Sequence, residues 1–211
     1  YCFRRHFPYA EANASATNWQ AALAYIMAQP DVREVILSGG DPLTLSDRRL
    51  AEFVQALDGC RHVERLRLHT RLPVVLPERV TQGLCALLAG TRLKTVVVIH
   101  ANHAQELDTA TRTACARLVE TGATLLNQSV LLRGVNDSVT ALAHLSEALF
   151  AAGVLPYYLH LLDRVQGAAH FDVSEDAARQ FMTGLNARLP GYLVPRLVRE
   201  RPGAPGKELV V

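Results

Sequence analysis

Lysine is scarce in this chain. Of its 22 basic residues only Lys94 and Lys207 are lysines, and the rest are arginines. Lys207 ends the Gly/Pro-rich stretch Arg201-Pro202-Gly203-Ala204-Pro205-Gly206-Lys207, where a lysine is ordinarily solvated filler. A chain that hardly uses lysine on its surface weakens that reading and leaves the amine as a candidate for chemistry. Ser38-Gly39-Gly40-Asp41-Pro42 follows an apolar β-branched run, so its glycines can bring bare backbone N–H and C=O groups against a ligand. The same residues equally make a plain tight turn into a helix. Further polar clusters end other apolar runs: His69-Thr70-Arg71, His100-Ala101-Asn102-His103, Asn127-Gln128-Ser129 and His160 to Asp163. Cys2, Cys60, Cys85 and Cys115 are too widely scattered for a disulfide framework or a zinc site. Cys60, Cys85 and Cys115 read as packing residues, and Cys2 stands apart beside Arg4-Arg5.

The elements that must position these residues alternate. Short strands are expected at Glu34 to Ser38, Arg65 to His69, Thr95 to His100, Thr124 to Leu131 and Leu155 to Leu162. Helical periods fill Asn18 to Ala28, Asp47 to Leu57, Pro77 to Leu88, Asp108 to Glu120, Ser138 to Ala152 and Ser174 to Leu189. An extended run, Tyr192 to Arg199, leads into the tail. This is the βα pattern of a parallel sheet in an α/β protein, and every polar cluster falls at the carboxyl end of a strand, where active sites of such sheets gather. The reading is an enzyme. Doubly wound sheets share the alternation, so barrel closure does not follow from it.

Composition narrows the partners. The 22 basic and 20 acidic residues nearly cancel without a run of one sign, which argues against a nucleic-acid stripe or a membrane-surface helix. No apolar stretch approaches the ~20 residues of a membrane span, and the first residues lack a signal peptide's apolar middle. A cytoplasmic enzyme acting on a small molecule is expected, with a homo-oligomer left open. The chain opens Tyr1-Cys2-Phe3 without methionine, so it is expected to begin inside a longer protein.

Cys2-Phe3-Arg4-Arg5-His6-Phe7-Pro8-Tyr9, taken with Gly39-Gly40-Asp41, resembles the lysine 2,3-aminomutase family of radical S-adenosylmethionine enzymes. The cluster motif of that family is C-x3-C-x2-C followed closely by arginines, and the resemblance continues with compatible spacing through essentially the whole chain. It implies a partial (β/α)6 TIM-like barrel over residues 1–190, lacking its first strand and part of the cluster loop, with a C-terminal extension at 191–211. Cys2 matches the last of three thiolates that hold a 4Fe-4S cluster, the other two preceding Tyr1, and a fragment with one of the three is expected to be inactive. Gly39, Gly40 and Asp41 match the segment that receives the amino group of S-adenosylmethionine. Arg71, His100 and Gln128 fall at strand ends that face the cofactors in this family, with Arg71 as a structural ion-pair residue the open alternative. Lys207 matches the lysine that forms a Schiff base with pyridoxal 5'-phosphate, a bond arginine cannot make.

For the substrate, Arg4 matches the arginine that receives the α-carboxylate of lysine, and Asp163 one of two acids that receive its distal ammonium. The second acid lies seven residues before the Schiff-base lysine, where this chain has Glu200 in place of aspartate. Surface charge is the bland alternative for Glu200. The implied reaction starts with reductive cleavage of S-adenosylmethionine to a 5'-deoxyadenosyl radical and ends with the amino group of lysine moved to the β-carbon. His6-Phe7-Pro8-Tyr9-Ala10-Glu11, the histidine of His69-Thr70-Arg71, and Tyr157-Tyr158-Leu159-His160 through Phe171 resemble the branch that supplies β-lysine to the elongation factor P ligase. A catabolic or osmolyte-forming aminomutase is the near alternative, and a cluster-free barrel binding protein the remote one.

Overall fold

The computed structural model describes residues 16–163, 165–201, 203–204 and 206–210. Cys2 and Arg4 lie outside the described residues. Seven strands form one sheet in the order β1(Glu34–Leu37), β2(Arg65–His69), β3(Lys94–Ile99), β4(Thr124–Val130), β5(Leu155–His160), β6(Arg196–Arg199), β7(Glu208–Leu209). Every pair from β1 to β6 is parallel, and β7 returns antiparallel to β6. A strand order equal to the chain order separates a partial barrel from a doubly wound sheet, whose order reverses at a switch point. The expected partial α/β barrel is therefore what the chain forms.

The helix α1(Ala16–Ala28) precedes β1, and α2(Asp47–Asp58), α3(Leu72–Val75), α4(Gln82–Gly90), α5(Thr109–Glu120), α6(Val139–Ala151) and α7(Glu175–Arg188) fill the crossovers. Their starts are written in side chains: Ser46, Thr81, Asp108, Ser138 and Ser174 each accept a hydrogen bond from a first-turn backbone N–H. Two expectations need correction. The helix expected from Pro77 is a 3-10 turn at Pro77–Arg79 followed by α4, because the Thr81 cap starts a new helix. The extended run expected from Tyr192 opens as a 3-10 turn at Gly191–Leu193, and only Arg196–Arg199, beyond Pro195, pair as a strand.

Alternate residues of each strand pack under the helices. Val35, Leu66, Leu68, Val97, Ile99 and Leu125 join one core with α2, α4 and α5, while Leu159 and Leu197 join a second with α6 and α7. Period-two alternation then assigns Arg67, His69, Gln128, Tyr158 and His160 to the concave face. In β5 that parity depends on an irregularity. The register steps from Asn127↔Pro156 to Gln128↔Tyr158, so Tyr157 is an extra residue and its ring lies 3.8 Å from that of Tyr158.

One buried tie fixes the loop that follows β3. The Asn127 side chain accepts from the Ala101 N–H at 2.8 Å and donates to the Ala101 carbonyl at 3.0 Å and to Ser129 Oγ at 2.8 Å. Ser129 Oγ donates to the same carbonyl, so an Asn127→Leu change strands chiefly the N–H. It should cost roughly 1 to 3 kcal/mol, read as a lowered denaturant midpoint with an unaltered m-value.

Candidate functional site

The carboxyl ends of β1 to β5 open on one mouth. Gly40, at φ 58°, turns the chain after β1 in a conformation other residues rarely adopt. Asp41 then ties two strand ends together. Its Oδ1 accepts from Leu43 N at 3.0 Å and Thr70 Oγ1 at 2.6 Å, and its Oδ2 from Arg71 N at 2.7 Å. Arg71 is held from the next loop, where its Nη2 meets Glu106 Oε2 at 3.1 Å, while Glu106 Oε1 accepts from the N–H groups of Asn102 and His103. The structural ion pair that is the alternative for Arg71 is present; it still leaves the side chain partly exposed.

Lys207 reaches the same mouth from the tail. The register Arg199↔Glu208 in the β6–β7 hairpin, extended by one residue, sets Glu200 opposite Lys207, and their side chains form an ion pair. A spacing of seven residues is thus a hairpin juxtaposition. The Lys207 ammonium also lies 5.7 Å from the centroid of the Tyr158 ring, and Glu200 Oε1 lies 3.9 Å from His160 Nδ1. Asp163 is half-buried in the loop three residues beyond His160.

Three histidines surround this pair. His69 is pushed down to about 4 by burial first and then by the Arg67 guanidinium, with smaller pushes from His100, Lys207 and His160. His160 is pushed down to about 4 by burial and then Lys207, against a pull from Glu200. His100 is lowered by burial and then Arg71, with Asp41 opposing. All three rings are therefore neutral at pH 7. Below them, Arg67 Nη2 pairs with Glu34 Oε2 at 2.6 Å.

Four polar atoms of the concave face are buried without a hydrogen bond among the described residues: Arg67 Nε, His69 Nε2, Gln128 Nε2 and His160 Nε2. Each such atom costs about 1 to 3 kcal/mol, so their clustering marks a place open to partners beyond the described residues. An amine, an aromatic ring beside it and unsatisfied polar groups fit a carbonyl-bearing cofactor together with a polar substrate. Cys2, the expected cluster ligand, lies outside the described residues. Cys60 and Cys115 are buried, Cys85 is half-buried, and among the described residues no group of His, Cys, Asp or Glu gathers to hold a metal ion. Burial raises the Cys115 thiol to about 11, as for an inert core residue.

The sequence-derived candidates Gly39, Gly40, Asp41, Arg71, His100, Gln128, Asp163, Glu200 and Lys207 all lie on strands or loops at this end of the sheet. In the sequence His69, His160 and Tyr158 stand only as strand-end polar residues or branch markers, and the structure adds them to the surroundings of Lys207. The signal that could have found them is their shared parity on β2 and β5. Among the described residues, no helix is long and apolar enough to cross a membrane.

Comparison with known proteins agrees with this architecture. No family model matches the chain. It is 55% identical over 207 residues to L-lysine 2,3-aminomutase of Escherichia coli (strain K12), covering 98% of this chain and 60% of that protein. The Haemophilus influenzae protein of the same name is 53% identical over 99% of this chain and 62% of its own length, and that of Clostridium subterminale 37% identical over 100% and 51%. The chain thus spans about 60% of the length of the first two. Among solved structures, a radical SAM methyltransferase from Sphaerobacter thermophilus superposes with a TM-score of 0.58 at 20% identity, over 91% of this chain and 56% of its own. A domain of pyruvate-formate lyase-activating enzyme from Bacteroides vulgatus superposes with a TM-score of 0.54 at 15% identity, over 79% and 98%. These two likenesses concern the fold.

The depressed histidines set an acid limit on stability. The unfolded chain protonates His69 and His160 near pH 6.5, the folded chain only near 4. Stability present above pH 6.5 should therefore fall as the pH drops toward 4, by on the order of 2 kcal/mol per ring. Denaturant midpoints of the cofactor-free protein between about pH 7 and pH 4 should decline less steeply in His69→Gln and His160→Gln. Equal slopes in all three proteins would contradict the assignment.

Proposed function

We propose, on the premise that this chain belongs to the lysine 2,3-aminomutase family, that it forms the catalytic barrel of an isomerase converting L-α-lysine to β-lysine, with Lys207 as the attachment point for pyridoxal phosphate. The observation that carries the reading is the placement of Lys207. A Gly/Pro-rich tail would leave a lysine in solvent, but the β6–β7 hairpin turns this one into the mouth, against Glu200 and the Tyr158 ring. Lys94 begins β3 at the opposite end of the strands.

The remaining roles follow from position. Asp163 and Glu200 are carboxylates beside the mouth suited to the distal ammonium of lysine, and Arg4 would take its α-carboxylate. Asp41 already gives its carboxylate oxygens to Leu43, Thr70 and Arg71. It therefore shapes the loop, and the carbonyls of Gly39 and Gly40 are the more open acceptors for the amino group of S-adenosylmethionine. Gln128 and His100 face the cofactors from β4 and from the end of β3. Cys2 would supply one thiolate to the 4Fe-4S cluster. When bound, the cluster and S-adenosylmethionine would supply the radical, and pyridoxal phosphate the conjugated ring that lets nitrogen migrate. The protein's own contribution is to hold the reacting carbon in place and keep water out. On the residues that resemble the elongation factor P branch, the product would feed β-lysylation of that factor.

Borohydride reduction of the full-length protein loaded with pyridoxal phosphate should fix the cofactor to the peptide containing Lys207. Lys207→Ala should abolish both capture and turnover, and Lys94→Ala neither; a label on Lys94 would sink the reading. For the substrate acids, Asp163→Asn should weaken lysine binding by on the order of 3 kcal/mol while reductive cleavage of S-adenosylmethionine stays measurable. An unchanged Michaelis constant for lysine would place Asp163 outside the substrate site.

A further inference from the structure

His160 is only 9% exposed, at the inner end of β5, yet its Nε2 atom has no hydrogen bond among the described residues. Its ring stands edge-on to Tyr158, with centroids 5.8 Å apart. Its Nδ1 faces Glu200 Oε1 at 3.9 Å, beyond hydrogen-bond reach. Glu200 is engaged by Lys207, and the imidazole, neutral at pH 7, is no counter-ion for it. Among the described residues, neither ring nitrogen thus makes a hydrogen bond that would justify a polar residue here. A leucine would fill such a place without burying an unsatisfied nitrogen, so the histidine costs stability as the protein stands.

We propose that His160 is a binding residue whose Nε2 hydrogen-bonds the aromatic ring system of the aldehyde cofactor attached to Lys207. The inference rests on the reading of Lys207 as the attachment point. The ring, rather than the phosphate, is the partner. The aldehyde carbon that bonds to Lys207 is carried directly on the ring, and Lys207 lies over Tyr158, two residues from His160 on the same face of β5. A molecule bonded there has its ring near His160, and a neutral imidazole brings no positive charge to offset a phosphate. The ring hydroxyl beside the aldehyde is a partner a neutral imidazole can serve, as donor or acceptor, whereas an imidazolium would compete with Lys207 for Glu200.

The test uses the full-length protein with His160→Leu and His160→Gln, whose amide nitrogen reaches the position of Nε2. Cofactor-free His160→Leu should melt at the same temperature as the unsubstituted protein or higher. Its affinity for pyridoxal phosphate should fall about tenfold, with a shifted absorbance maximum of the bound cofactor. His160→Gln should restore affinity to within about threefold. Pyridoxal without its phosphate should lose the same factor in His160→Leu. Unchanged affinity and absorbance in His160→Leu would overturn the proposal, as would a lower melting temperature that His160→Gln repairs without repairing affinity. A loss seen with pyridoxal phosphate but not with pyridoxal would overturn the assignment to the ring. Absence of a borohydride label on Lys207 in the unsubstituted protein would be a separate result, removing the attachment reading itself.

Discussion

Crossovers that all run the same way put every helix on one face of the sheet and leave the other face without helical cover. That constraint organises the rest of the molecule. The covered face must be apolar at every second residue, and Leu66 and Leu68 in β2, Val97 and Ile99 in β3, and Leu159 in β5 meet it. The residues between them are thereby turned inward. A slip of one residue in β2 would push Arg67 and His69 into the helix-packed core, so burial of the leucines holds the polar residues in the site as firmly as any contact of their own.

An inner face rich in cations must avoid self-repulsion. Arg67, Arg71 and Lys207 each have a carboxylate on a neighbouring element: Glu34 on β1, Glu106 in the loop after β3, and Glu200 across the hairpin. The histidines are accommodated differently, by staying neutral under burial and the nearby positive charges. The consequence is an interior that can hold imidazoles as hydrogen-bonding groups without adding to its charge. It also leaves nitrogen atoms unsatisfied, the polar counterpart of a cavity.

The strands and most helices were legible because β-branched runs and helix caps are local signals. Asp108, Ser138 and Ser174 mark the helix starts that the sequence placed within a residue. The clustering of candidate residues at the strand ends was legible too, since the carboxyl ends of parallel strands face one way. What was not legible is non-local. Nothing near Asp41 in sequence announces that its carboxylate is committed to Thr70 and Arg71, just beyond the end of the next strand. The tail read as filler or as a matched motif, and only its pairing with β6 explains why Glu200 and Lys207 meet.

The irregularity in β5 has the largest effect for its size. Leu155 stands opposite Leu126 on the concave side, so an unbroken strand would turn residues 157 and 159 inward and send 158 and 160 toward α6 and α7. Leu159 would then face the mouth, and His160 would be lost to the helix-packed core. The extra residue at Tyr157 reverses the parity beyond it. Leu159 goes to the helix side, where it is fully buried with Leu142 and Leu185, while Tyr158 and His160 come in beside Lys207. Bulges recur next to active sites because one inserted residue re-aims the side chains that follow while the ladder resumes. Here the ladder does resume, at Ser129↔Leu159 and Val130↔His160. The surroundings of the amine thus depend on one inserted residue in β5 as much as on the polar side chains themselves.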